Sequence, residues 1–516
     1  MSLREGLRLY PKAITWSVLI SLTLIMEGYS TILVPNLFSM GPFVRRFGSL
    51  TPSGHYEISA MWQTLLVNCS LIGQIIGLVA TGFIVQRLGY RGMLQGGLVA
   101  FSAAVFLPVF STTRGALLAG QLCIGVPLGV FQCISASYAV EVCPVGLRAY
   151  LTTYINACWV LGQLIASIVL RIMVGTQGEW SYRLPFALQW VFPLPIYVAV
   201  WYAPESPWYL VGTGRVSEAR LALERLRTKM AGQSNADFQN VLSCTLESMV
   251  HTMRKEKEMQ KGAGYLDCFK GVDRRRTEIA CMTWMIQTFC GSTFMGFSTY
   301  FYEQAGLGKQ HAFTLSLVQF AVGLLGVGVS WLLMLKLGRR TLYISGQVLT
   351  FIFVLLIGLL GVVQPSTATR WSVASLLLLF TITYDATIGP ICYSLVSEIP
   401  STRLRALTIA LARNCYNVSG IVANIITPQM LNPTAWNWGA KTGFFWAGTS
   451  IVGIAWSWWR LPEPKGRTFG ELDDLFEKRV SARRFKSTDV VAVSGSIVSE
   501  MEEDGGGRDE GHVLEA

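Results

Sequence analysis

Three ionisable side chains stand inside long, otherwise apolar stretches of this 516-residue chain: Glu27, Asp385 and Arg413. A charge in a low-dielectric segment is costly, so such residues point to a polar pathway or to proton handling. Burial favours the neutral acid of Glu27 or Asp385 and would let it take up a proton, whereas pairing with Arg413 would keep either carboxylate charged. Residue types alone leave both pairings open. Amides occur in the same setting, at Gln163 and Gln287. An amide offers donors and acceptors to a polyhydroxylated ligand; the alternative is an interhelical hydrogen bond with no ligand role.

A second set of charged residues occurs twice, in the same order. Gly89-Tyr90-Arg91, then Glu141 with Arg148, then Pro204-Glu205 are followed by Gly338-Arg339-Arg340, Glu398 with Arg405, and Pro462-Glu463. The Glu to Arg spacing is the same in both copies. Arg91, Glu141, Arg148, Arg340, Glu398 and Arg405 are candidates for bidentate links that hold one face closed and break when it opens. The competing reading is membrane-surface charge, whose exposed pairs contribute about 0–1 kcal/mol each. Self-similarity of this kind means one structural unit used twice.

The elements that carry these residues must be membrane helices. Apolar residues make up 52% of the chain and charged residues 14%, too little polar surface to cover a soluble globule. Spans of about 20 residues are expected near 13–34, 60–85, 93–110, 116–140, 150–174 and 185–203, and again near 278–302, 313–335, 341–363, 371–397, 404–430 and 441–461. The expected fold is an all-α membrane protein with twelve transmembrane helices in two pseudo-symmetric six-helix bundles, which in a chain of two like halves implies a transporter. The divisions are 1–203, a central loop 204–277, 278–461 and a tail 462–516. In the loop, Val216, Ala219, Leu223, Leu226 and Met230 recur at helical spacing. Beyond about residue 480 the tail turns Ser-rich, then acidic and Gly-rich, a composition for disorder. Small-residue spacings such as Gly73 with Gly77 and Gly125 with Gly129 are read as close helix packing.

The formal charge of +11 does not imply nucleic acid. Arg87, Arg91, Arg148, Lys336, Arg339, Arg340, Arg403 and Arg405 fall on one side if both termini are cytoplasmic, as positive-inside asymmetry requires. None of the eleven cysteines falls in an expected external loop, so neither a disulfide framework nor a metal site is expected. The first apolar run is of full span length, without a cleavage site. No Walker loop or dinucleotide motif occurs; no cofactor is expected.

Several strings carry a resemblance that runs nearly end to end. Pro204-Glu205-Ser206-Pro207-Trp208, Pro462-Glu463-Pro464-Lys465-Gly466-Arg467, the stretch from Tyr138 to Pro144 with Arg148, and Glu398 to Arg405 resemble the sugar porter family of the major facilitator superfamily. Met26 to Tyr29, Gln287 to Gly291, Tyr300 to Gly306 and Ala412 to Asn417 resemble the fungal maltose and α-glucoside permeases within it. The resemblance implies that Gln163 and Gln287 contact sugar hydroxyls, with Thr293, Tyr393 and Asn414 as further substrate contacts. Thr293 and Tyr393 match positions where many relatives carry Asn and Trp.

The chain also departs from that pattern. Maltose-type proton symporters usually carry an Asp where Ser30 stands and a Glu where Gln74 stands, and neither Ser nor Gln titrates in the physiological range. The resulting expectation is a plasma-membrane sugar carrier of the maltose type working by alternating access, with the lipid bilayer and a sugar as partners. Protons are a further partner if coupling is retained: symport follows from the resemblance, uniport from the departures. A non-transporting sugar receptor of the same fold is the rival, disfavoured by a tail of only about fifty residues. A membrane enzyme would need a nucleophile and base constellation, which is lacking.

Overall fold

The computed structural model describes residues 8–485 and 488, apart from 52–53, 144, 230–233, 261–263, 365, 402 and 468. Side chains are not described at 145–149, 152, 255–260, 406 and 469–470. Among the described residues twelve helices cross the molecule. They are α1 (Pro11–Leu37), α2 (60–88), α3 (90–110), α4 (Arg114–Val142), α5 (Val145–Met173), α6 (Trp180–Tyr202), α7 (271–304), α8 (Lys309–Lys336), α9 (Arg339–Leu360), α10 (Thr367–Glu398), α11 (Arg405–Leu431) and α12 (Thr442–Arg460). Helix α2 passes into α3 through a kink at Gly89, at φ 73°, a conformation that costs glycine least.

Small residues decide which helices touch. A Cβ on Gly28 of α1 would lie 2.0 Å from the Trp159 carbonyl of α5, and one on Gly162 would lie 2.2 Å from Ile25 O. The same close approach joins α2 to α4, where a Cβ on Gly77 would meet Val126 O and one on Gly129 would meet Gln74 O. Without a hydrophobic drive between helices in lipid, such backbone proximity supplies the packing. In the second bundle α8 lies on α10 and α9 on α12, and the bundles meet where α5 faces α8 and α10, α2 faces α11, and α1 faces the second half of α7.

Among the described residues α1, α6, α7 and α10 are each interrupted, and the breaks in α7 and α10 frame the centre. In α7, Gly271–Gln287 passes into a π turn, Thr288–Ser292, with Gly291 at φ 98°; in α10, Thr387 interrupts the helix just before Gly389-Pro390. Wide turns of this kind often mark functional positions. Helix α7 begins at Gly271, not near 278, because its first turns are too polar (Asp273, Arg274, Arg275, Arg276) to register as a span.

The central segment forms three helices, Pro207–Gly212, Val216–Leu226 and Asn235–Gln260, with a small core of Leu210, Val211, Ala219, Ala222 and Met249. Val216 is exposed, so the buried stripe of the middle helix runs through Ala219, Ala222 and Leu226; Met230 lies outside the described residues. After α12, the turn Ala482–Arg484 packs on α12 itself and the helix Phe469–Glu477 meets the first turns of α7. There Arg276 pairs with Asp473 and lies 4.4 Å from the Phe476 ring centroid. Residues 489–516, the acidic end of the tail, lie outside the described residues.

Candidate functional site

The Gly28 and Gly162 contact seats α1 on α5, and α4 closes over α1 and α2. Buried Glu27 is thereby set beside Gln132 of α4, whose Nε2 donates to Glu27 Oε1 and, at 3.0 Å, to Gln74 Oε1. Gln132 Oε1 accepts from Arg413 Nε of α11 at 3.1 Å, and Arg413 Nη2 lies 3.7 Å from Glu27 Oε1. The pair left open by residue types is therefore Glu27 with Arg413, and it spans the two bundles. Asp385 lies elsewhere, where α10 meets α5 and α8, beside Asn156 and against Gly323 and Gly326. Ser30 Oγ donates to Gln189 Oε1 at 3.1 Å.

Aromatic rings surround the guanidinium. Arg413 Cζ is 4.6 Å from the Trp284 ring centroid and 4.7 Å from that of Tyr416, and Tyr393 meets Trp284 edge-on at 4.9 Å. Stacked cations of this sort gain most where they are desolvated. On α7 and α11, Trp284 Nε1, Thr293 Oγ1, Asn414 Oδ1 and both amide atoms of Asn417 are buried with no hydrogen-bond partner among the described residues. Each such group costs about 1–3 kcal/mol unless a ligand satisfies it. Gln163 is buried in α5. The amide nitrogen of Gln287 donates to Gly389 O at 3.1 Å, tying the α7 break to the α10 break.

The repeated charged residues make a different arrangement from the simple Glu to Arg links expected. In the first bundle Glu205 accepts the backbone N–H groups of Tyr90 and Arg91, and Glu141 accepts from Tyr90 Oη at 2.7 Å and from Ser206 Oγ. Burial pushes the Glu205 carboxyl up, and those N–H donors partly offset it. In the second bundle Glu463 accepts from the N–H groups of Arg339 and Arg340, at 2.9 and 3.1 Å. Arg339, not Arg340, lies 3.5 Å from Glu398. Arg91 and Arg340 donate instead to the Trp201 and Trp458 carbonyls. Among the described residues each of these links stays within one bundle. The Arg148 side chain lies outside the described residues, and Arg405 stands at the start of α11 with a partner of its own.

At the opposite end the bundles are sewn to each other. Tyr300 Oη donates to Glu57 at 2.8 Å, Asn432 Nδ2 to Ile58 O at 3.0 Å, Asn68 Nδ2 to Ile421 O at 3.3 Å, and Arg171 Nε to Thr314 Oγ1 at 2.8 Å. Sequence reasoning missed Gln132, Trp284, Arg339, Glu205 and Glu463 as site residues. Gln132 was visible as a polar residue within a span; Trp284 gives no such signal, because an aromatic residue in a membrane helix is ordinary.

Two six-helix bundles meeting at a polar, aromatic centre define a membrane carrier. Residues 16–476 match the family described as "Sugar (and other) transporter". The general α-glucoside permease of Saccharomyces cerevisiae is 41% identical over 491 residues, covering 95% of this chain and 79% of that protein. A maltose permease of the same yeast is 43% identical over 494 residues, covering 95% and 80%. Among solved structures, the proton:xylose symporter XylE bound to 6-bromo-6-deoxy-D-glucose superimposes with a TM-score of 0.73 at 19% identity, covering 90% of this chain and 99% of that one. XylE from E. coli in a partially occluded inward open conformation gives 0.71 at 18%, covering 89% and 100%. The chain belongs to the sugar transporter family of the major facilitator superfamily. It is a multi-pass transporter and not an enzyme.

Proposed function

We propose that this transporter carries an α-glucoside such as maltose across the plasma membrane by alternating access. The observation that carries this reading is the set of buried, unpartnered polar atoms on α7 and α11 beside the Trp284, Tyr393 and Tyr416 rings. Sugar hydroxyls would satisfy the former and sugar ring faces would lie on the latter. The α-glucoside and maltose permeases among its relatives suggest the class of sugar. Gln163, Gln287, Thr293, Tyr393 and Asn414 are the proposed contacts. Glu141 with Tyr90 and Ser206, and Glu398 with Arg339, would brace each bundle so that it moves as a unit. Gln163→Ala is expected to weaken sugar affinity by roughly 1–3 kcal/mol with the folded yield unchanged. Gln287→Ala should lose thermal stability as well, since it also removes the bond to Gly389. Equilibrium binding and melting curves on both variants check this, and unchanged affinity in both would make them packing residues.

Coupling to protons is proposed to be weak. A symporter needs a group whose proton affinity differs between facing states, and where Gln132 bridges Glu27 to residue 74 it meets one carboxylate and one amide. In proteoliposomes, labelled maltose should equilibrate but concentrate little when a pH gradient is imposed. No maltose entry would remove the substrate assignment. Several-fold accumulation by the parent that Glu27→Gln loses while maltose still equilibrates would make Glu27 the proton carrier.

The termini and the central segment are proposed to be cytoplasmic, on the basis of the Lys and Arg asymmetry. Cys244 is exposed and Cys268 buried, so Cys244 is the reporter. A membrane-impermeant maleimide is expected to label it only after the cells are permeabilised; labelling in intact cells would invert the topology.

A further inference from the structure

Two guanidiniums stand against one indole where α12 ends. Arg340, in the first turn of α9, has its guanidinium carbon 5.7 Å from the Trp458 ring centroid, and Arg483, in the turn Ala482–Arg484, lies 5.5 Å from the same centroid. Arg340 is fixed there by donating Nη2 to Trp458 O at 2.8 Å. The two like charges repel each other. The neighbouring carboxylate, Glu463, already accepts the N–H groups of Arg339, Arg340 and Lys465, and Glu278 is paired with Arg460. Among the described residues Arg483 has no ion pair.

The surroundings say which anion would come. Trp458 and Trp459 are 51% and 62% exposed, and one to two turns back Ile451 and Val452 are exposed as well. In a membrane helix such a face lies against acyl chains, and tryptophans at a helix end mark the headgroup level. A phosphate held between two guanidinium forks is recognised by paired hydrogen bonds and by charge.

We propose that Arg340, Arg483 and Trp458 form a binding site for the phosphate of a net-anionic glycerophospholipid, whose acyl chains lie along the exposed face of α12. A zwitterionic lipid would bring its own cation to the pair and gain less. Free phosphate shares the chemistry of the headgroup but leaves that apolar face uncovered.

The test is native mass spectrometry of the full-length transporter in detergent with phosphatidylinositol or phosphatidylcholine added. The parent should retain phosphatidylinositol about thirtyfold better, the scale of two basic side chains near a headgroup. Arg483→Glu supplies an internal anion to Arg340 and should bring the ratio close to one. Arg225→Glu makes the same charge change on an exposed helix of the central segment and should leave the ratio intact. If Arg483→Glu folds poorly, Arg483→Gln should lower the ratio in the same direction. The proposal fails if the parent shows no preference, if the Arg483 variants keep it, or if Arg225→Glu loses as much. Displacement of phosphatidylinositol by millimolar inorganic phosphate would overturn the lipid assignment.

Discussion

Arg413→Ala is expected to abolish measurable sugar uptake, and Glu27→Gln combined with Arg413→Gln to recover part of it. The guanidinium is the only described cation against buried Glu27, it holds Gln132 Oε1, and it fills the ring cage of Trp284 and Tyr416. Removing one member of a buried pair leaves an uncompensated charge, at a cost of roughly 3–5 kcal/mol, which corresponds to a loss of more than about 100-fold in any equilibrium that depends on it. The double variant leaves no charge behind, and its two amides can still bond to Gln132. Because Glu27 and Arg413 belong to different bundles, the pair would also bias the facing equilibrium wherever it is made in one state only. Initial rates of labelled-sugar uptake, with surface expression and melting temperature as controls, decide the matter. An Arg413→Ala protein that transports at the parent rate would remove the pair from the working site.

Glu463→Ala should cost the second bundle several degrees of thermal stability and most of its transport, and Gly338→Ala should reproduce the loss without touching a charge. The Glu463 carboxylate accepts three backbone N–H groups, two of them at the start of α9, where a helix leaves its donors unsatisfied and favours a negative charge. Hydrogen bonds to a charged group contribute roughly 1.5–3 kcal/mol each. A Cβ on Gly338 would lie 2.0 Å from Glu463 Oε2, so the carboxylate would have to leave its donors. Glu463→Gln retains one acceptor oxygen and should fall between parent and Glu463→Ala. The measurement is the melting curve of purified protein beside its uptake rate. A Gly338→Ala protein as stable as the parent would mean that the bracing is dispensable.

Hydropathy and the repeated charged strings sufficed for twelve helices, two bundles and a carrier, because a segment in lipid must satisfy its own backbone and so declares itself by composition. They sufficed also for the rarity of Glu27, Asp385 and Arg413, since burying charge in a span is costly wherever it occurs. Partnership was another matter. Spacing along the chain put Glu27 on one half and Arg413 on the other, and only the meeting of the two bundles, α11 against α2 with Gln132 of α4 between the two side chains, made them neighbours and left Asp385 apart. The same holds for Glu205 and Glu463. As sequence they belong to a Pro-Glu motif, but their role as acceptors for the starts of α3 and α9 depends on donors more than a hundred residues away, brought into reach only by the fold. A residue's cost of burial is local and can be read from the chain; the group that offsets it is chosen by packing.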